Sequence, residues 1–156
     1  MIASYVGAWP SALAQIQEIN LIDEKNRWRP FGAAILTQNN TELNVIVVAD
    51  HNDTLWSRAF LPTQINASAN KSPILNLDYG SKSHLGNATF FSEIRDNKSN
   101  ILWNKFLNDT SGVLTQSTFT LPNNILNQPI EFRFYVVTNG SGEHTLDVKR
   151  ASLITP

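Results

Sequence analysis

The chain has no cysteine at any of its 156 positions, which excludes a disulfide framework, a thiolate metal site and a cysteine nucleophile together. Charge is scarce too: Asp, Glu, Lys and Arg make up 16% of the residues, against about a quarter in an ordinary soluble domain. Formal net charge is −1, so there is no basic field for nucleic acid or anionic lipid. No window approaches the roughly 18 uninterrupted apolar residues that a membrane helix needs, so direct membrane insertion is not expected. Met1 to Pro10 lacks the basic and long apolar segments of a signal peptide. An exported chain is therefore expected to have lost its signal or to carry it outside this sequence. Catalytic signatures are also missing. There is no phosphate-binding glycine loop and no nucleophile elbow, and His51, His84 and His144 lack metal-ligand spacing.

Neutral polar residues fill the place of the missing charge, above all asparagine at 18 positions. Asn-x-Ser/Thr occurs at Asn39, Asn52, Asn66, Asn70, Asn87, Asn97, Asn108 and Asn139. Composition alone predicts about three such acceptor sites. The excess fits a glycosylated surface protein of an archaeon, a eukaryote or a virus. Asn-rich turn chemistry also raises the count by itself, because Asn, Ser and Thr all favour turns. Both readings stand at this level.

Turn signals recur at short, even spacing, which suits an all-β sandwich rather than alternating strands and helices. Residues 11–19 read either as a short helix capped by Ser11 or as an extended lead-in. Strands are predicted at 32–37, 42–49, 55–61, 74–79, 88–95, 100–107, 113–121, 130–138 and 143–154. Leu43, Val45 and Val47 oppose Asn44, Ile46 and Val48, a strand apolar on both faces and so interior to its sheet. Ile130, Phe132, Phe134 and Val136 oppose Glu131, Arg133, Tyr135 and Val137. This period-two pattern predicts an all-β, two-sheet antiparallel sandwich of jelly-roll type. One domain is expected over 1–156, with residues 1–30 as a lead-in and 31–154 as the sandwich.

Phe90-Phe91-Ser92-Glu93-Ile94-Arg95-Asp96, a turn and Ile101-Leu102-Trp103 together resemble the mid-domain hairpin of jelly-roll carbohydrate-binding modules. Leu121-Pro122 leading into Ile130–Val136, and the closing run Leu146–Leu153, are similar to the same family in strand order and hydrophobic pattern. The resemblance covers about residues 30–154 and informs fold far more than function. It implies a glycan or polysaccharide partner, an extracellular or cell-surface location and other domains of a larger protein as neighbours. Such modules often hold a structural calcium between an early acidic residue and one on the last strand, which the resemblance would assign to Glu18 and Asp147. No Asp-rich calcium loop is present, and the expected cofactor is none.

Sugar recognition needs flat apolar surface with planar polar groups beside it. Glu131, Arg133 and Tyr135 share one strand face, Phe91, Glu93 and Arg95 another, and Trp103 shares a row with Ile101 and Lys105. If those strands are neighbours, Phe91, Trp103, Glu131, Arg133 and Tyr135 form a carbohydrate platform. Otherwise the aromatics are core and the charged neighbours are surface ion pairs. Trp28, Trp56 and His84 read as loop residues able to form a second platform, or in the case of Trp28 a plug over the core. Glycoside hydrolysis or lyase chemistry would need a carboxyl that keeps its proton. Glu93 and Glu131 are expected to stay ionised beside Arg95 and Arg133. The expected function is therefore non-catalytic glycan binding. The alternative is a structural surface module without ligand, in a cell-envelope layer or the ectodomain of a membrane enzyme.

Overall fold

The computed structural model describes residues 16–156 apart from Asp53 and Ala69. Its strands are β1 (Gln17–Asn20), β2 (Arg29–Phe31), β3 (Ala34–Gln38), β4 (Leu43–Ala49), β5 (Leu55–Gln64), β6 (Ile74–Lys82), β7 (Ala88–Asp96), β8 (Ile101–Leu107), β9 (Thr115–Thr120), β10 (Pro129–Thr138) and β11 (Gly142–Thr155). They form two antiparallel sheets. One runs β3-β4-β11-β6-β9, with β1 beside the far half of β11; the other runs β2-β5-β10-β7-β8. This is the all-β two-sheet sandwich that the alternation predicts. Residues 11–15 of the suggested helix lie outside the described residues, while Gln17–Asn20 pairs with Ser152–Thr155 as a strand. The segment expected as a lead-in thus supplies β1 and β2, one edge strand to each sheet.

The core follows from the period-two rows. Ile130, Phe132, Phe134 and Val136 on β10 meet Leu43, Val45 and Val47 on β4 and Leu75, Leu77 and Tyr79 on β6, all buried. β11 shows how the chain keeps one face inside along 14 residues. Leu146 and Val148 point inward, then a bulge between Val148 and Arg150 shifts the register, and Ala151 and Leu153 point inward again. Without that extra residue the pleat would turn one of the two apolar pairs to solvent.

Trp28 belongs to this core. Its ring stacks on Phe134 at 5.1 Å, and its indole N–H donates to the Leu21 carbonyl at 2.8 Å. It serves as a plug, buried at 4% exposure, with its backbone N–H donating to the Gln38 side chain. At the opposite end, fully buried His144 accepts the His84 backbone N–H at Nδ1 (3.1 Å), while its Nε2 lies 3.2 Å from the Gly140 carbonyl. His84 stands in a 3-10 turn (His84–Gly86) against β11, so it is a structural neighbour of His144. Among the described residues no helix is long and apolar enough to cross a membrane.

Candidate functional site

Sheet register decides which side chains meet on the outer face of β2-β5-β10-β7-β8. Directly paired residues in antiparallel strands project to the same side. The pairings therefore lay down transverse rows across the strands. One row reads Phe31, Arg58, Tyr135, Phe91, Phe106. The next reads Arg29, Phe60, Arg133, Glu93, Asn104. Beyond them lie Pro62, Glu131, Arg95 and Ile101 on one side, and Trp56, Val137 and Thr89 on the other. At about 4.8 Å per strand, five strands make each of the two full rows about 19 Å long.

Tyr135 and Phe91 form the floor. Their rings stack at 4.4 Å with an interplanar angle of 15°, and they are only 4% and 6% exposed although they sit on an outer face. The cover comes from two walls. Trp56 stands edge-on to Phe91 and Tyr135 at 6.0 and 6.1 Å, and Phe106 stands edge-on to Phe91 at 5.9 Å from the other side. Both walls keep most of their surface in water, Trp56 at 56% and Phe106 at 70% exposure. Between them lies an open cleft of about 430 Å³ over Phe91, lined also by Glu93, Arg95, Ile101 and Asn104, with Tyr135 supporting Phe91 from beside it.

Polar groups converge on Glu93 at one side of this floor. Its side chain is 3% exposed. It accepts from Arg95 Nε and from Asn104 Nδ2 (3.0 Å), and the Tyr135 hydroxyl lies 3.4 Å away. Arg133 donates to Glu131 through Nε and to the Tyr135 hydroxyl through Nη1 (2.8 Å), and Nη1 also stands 3.7 Å from Glu93. Burial works against the Arg133 charge, but its bonds to Tyr135 and Glu131 outweigh that and raise its pKa. Arg58 is the exception in this network. Its guanidinium lies over Phe31 at 4.0 Å, with Phe60 and Tyr135 at 5.6 and 5.8 Å. Burial first, then repulsion from Arg133, lowers its pKa.

Of the residues singled out from sequence, Phe91, Glu131, Arg133 and Tyr135 do share one face. Trp103 does not join them. It pairs with buried Ile94 and packs against Phe119 of the other sheet at 5.6 Å, on the interior side. Its pairing with Ile94 sets that direction, and a bulge beyond it separates Trp103 from Ile101. Ile94 pairs with Trp103 but Arg95 pairs with Ile101, so one residue of β8 is extra and the row Ile101-Trp103-Lys105 is broken. Ile101 faces the cleft, Trp103 faces inward, and Asn104 and Phe106 return to the cleft side. Trp56 lies on β5, within the strand predicted at 55–61 and not on a loop, and it reaches the face that way. Phe106 had a legible signal, because it alternates with buried Leu107 and shares parity with Asn104.

Of the eight acceptor asparagines, Asn39, Asn52, Asn66, Asn70, Asn97, Asn108 and Asn139 are exposed. Asn87 is half-buried: its amide lies 3.5 Å from the Ser141 carbonyl, and its side chain fills the space where a Cβ on Gly140 would sit. The calcium assignment to Glu18 and Asp147 does not fit. Glu18 pairs opposite Ile154 and binds Ser152 and Arg150, whereas Asp147 sits seven positions away, about 20 Å along β11, against Lys149. Among the described residues no three His, Asp or Glu side chains gather as a metal site.

No protein-family model and no curated protein matches the sequence. Solved structures match the fold. TmCBM61 in complex with β-1,4-galactotriose superposes with a TM-score of 0.55 at 9% identity, over 86% of this chain and 92% of that one. TmCBM27, a carbohydrate-binding module recognising mannan, gives 0.51 at 11% identity over 90% and 96%. The C-terminal CBM6 of a marine laminarinase from Zobellia galactanivorans gives 0.50 at 11% identity over 90% and 99%. The chain is thus a jelly-roll β-sandwich whose fold resembles known carbohydrate-binding modules at low sequence identity.

Proposed function

We propose that this domain binds glycan chains without transforming them, as an accessory module of a secreted or cell-surface protein. One observation carries the reading: the floor of Tyr135 and Phe91 is flanked by the exposed rings of Trp56 and Phe106, with Glu93 and Asn104 at its edge. Exposed aromatic faces attract the C–H face of a sugar ring, and the carboxylate and amide can exchange hydrogen bonds with its hydroxyls. The floor is pre-set by stacking and by the hydrogen bonds of Tyr135, so little order has to be imposed on binding. The similar modules, one in complex with β-1,4-galactotriose and one recognising mannan, are consistent with this. Catalysis finds less support. Glu93 and Glu131 each engage a guanidinium, whereas a general acid must present a proton to the glycosidic oxygen. The cleft also favours binding over a purely structural role, since an assembly module would be expected to offer a flat apolar patch or an open strand edge instead.

The test separates the two tryptophans. Trp56→Ala is expected to abolish retardation in a polysaccharide affinity gel and to leave the melting temperature within about 2 °C of the wild type, because the ring is already exposed. Trp103→Ala is expected to lower the melting temperature while the remaining folded protein still binds. Binding that survives Trp56→Ala and Phe106→Ala together refutes the assignment of this face.

A further inference from the structure

The charges on the cleft face do not balance. Its rows hold four guanidinium groups, Arg29, Arg58, Arg95 and Arg133, against two carboxylates, Glu93 and Glu131. The excess is positive on a chain whose formal net charge is −1. Two of the arginines are accounted for, since Arg95 pairs with Glu93 and Arg133 with Glu131 and Tyr135. Arg58 is different. Among the described residues it has no carboxylate within ion-pair distance; its Nε is enclosed without an acceptor, which leaves the Nη groups as the donors a ligand can reach. Aromatic rings lie around the guanidinium, the nearest being Phe31, whose centroid is 4.0 Å from Cζ. A cation–π contact attracts the charge but supplies no hydrogen-bond acceptor to the N–H donors.

Resting on the glycan-binding reading above, we infer that this face selects an acidic glycan, whose carboxylate or sulfate is received by Arg58 next to the Tyr135–Phe91 floor. The position suits that role. Arg58 lies directly between Phe31 and Tyr135 in the transverse row, so a chain laid across the strands over Tyr135 and Phe91 passes beside it. The chemistry suits it as well. The paired Nη groups of a guanidinium match a carboxylate or sulfate two bonds at a time, and an arriving anion relieves the repulsion between Arg58 and Arg133. A neutral sugar would leave the cation without a counter-charge in a partly desolvated site.

Titration calorimetry with paired polysaccharides tests this. Polygalacturonate is compared with its methyl ester, and κ-carrageenan with its desulfated product, so that each neutral partner keeps the backbone and loses the anion. Tighter binding of either charged member over its neutral partner is expected, with the first pair identifying a uronate and the second a sulfate. Arg58→Gln is expected to weaken that binding by about tenfold or more, and Arg58→Lys to restore only part of it. Arg150→Gln, on the other sheet, controls for bulk attraction and is expected to change nothing. Equal loss in Arg58→Gln and Arg150→Gln would show mere ion exchange and overturn the inference. Binding of neutral chains that Arg58→Gln leaves unchanged would also overturn it, while the glycan-binding reading stands. No binding to any charged or neutral polysaccharide would remove both.

Discussion

Replacing Glu93 by glutamine keeps the shape of the side chain and removes one negative charge from the edge of the ring-walled cleft. In the wild type that carboxylate engages Arg95 directly, stands 3.7 Å from Arg133 and accepts from Asn104 at 3.0 Å. Glutamine can still accept from Asn104 or Tyr135 through its carbonyl, but it turns an amide N–H₂ toward a guanidinium. Breaking a buried pair by removing one partner costs about 3–5 kcal/mol. The arginines here are not fully buried, with side-chain exposures of 25% for Arg95 and 11% for Arg133, so solvent recovers part of that. About 2–3 kcal/mol remains. For a domain of this size that lowers the melting temperature by about 5–10 °C. Urea denaturation of Glu93→Gln, Arg95→Gln and the double variant measures it as a cycle. The double variant is expected to recover much of the loss, since no uncompensated charge is left between the pair. A Glu93→Gln protein within about 0.5 kcal/mol of the wild type would refute the idea that this carboxylate organises the site.

Gly142 has φ +113°, and a Cβ built there would lie 2.5 Å from His84 ring carbons, so Gly142→Ala is expected to cost about 2–4 kcal/mol in the same denaturation assay. Asp147 carries a raised pKa, first because it is buried and then because Glu42 is close. A group with a folded pKa above its unfolded value favours folding at low pH, and that contribution is lost as pH rises through the folded pKa. Asp147→Asn is therefore expected to gain stability on the wild type at about pH 7 and to show no gain at about pH 3, measured by thermal melts. A uniform difference across pH would contradict this.

How much was legible in the sequence can be read from particular strands. β10 announces itself. Ile130, Phe132, Phe134 and Val136 alternate with Glu131, Arg133, Tyr135 and Val137, and nothing in the fold disturbs that parity. The same pattern along β4, β6 and β7 suffices for two antiparallel sheets with one buried row each, because period-two burial is a property of the pleat itself. It therefore also located Phe91, Tyr135, Arg133 and Glu131 on strand faces that could meet. What no local pattern contains is the placement of one strand against another. β5 lies beside β10 although more than sixty residues separate them, and that pairing carries Trp56 to the cleft and Arg58 to the same outer face. Nor does local alternation disclose an extra residue in a ladder. Pairing with Ile94 turned Trp103 inward and pairing with Phe91 made Phe106 the wall, while the bulge facing Ile94 and Arg95 brought Ile101 to the cleft side. Trp28 followed the same logic, held by Phe134 and the Leu21 carbonyl from elements distant in the chain. Alternation thus determined which residues could face outward, and long-range register alone decided which of them stand together.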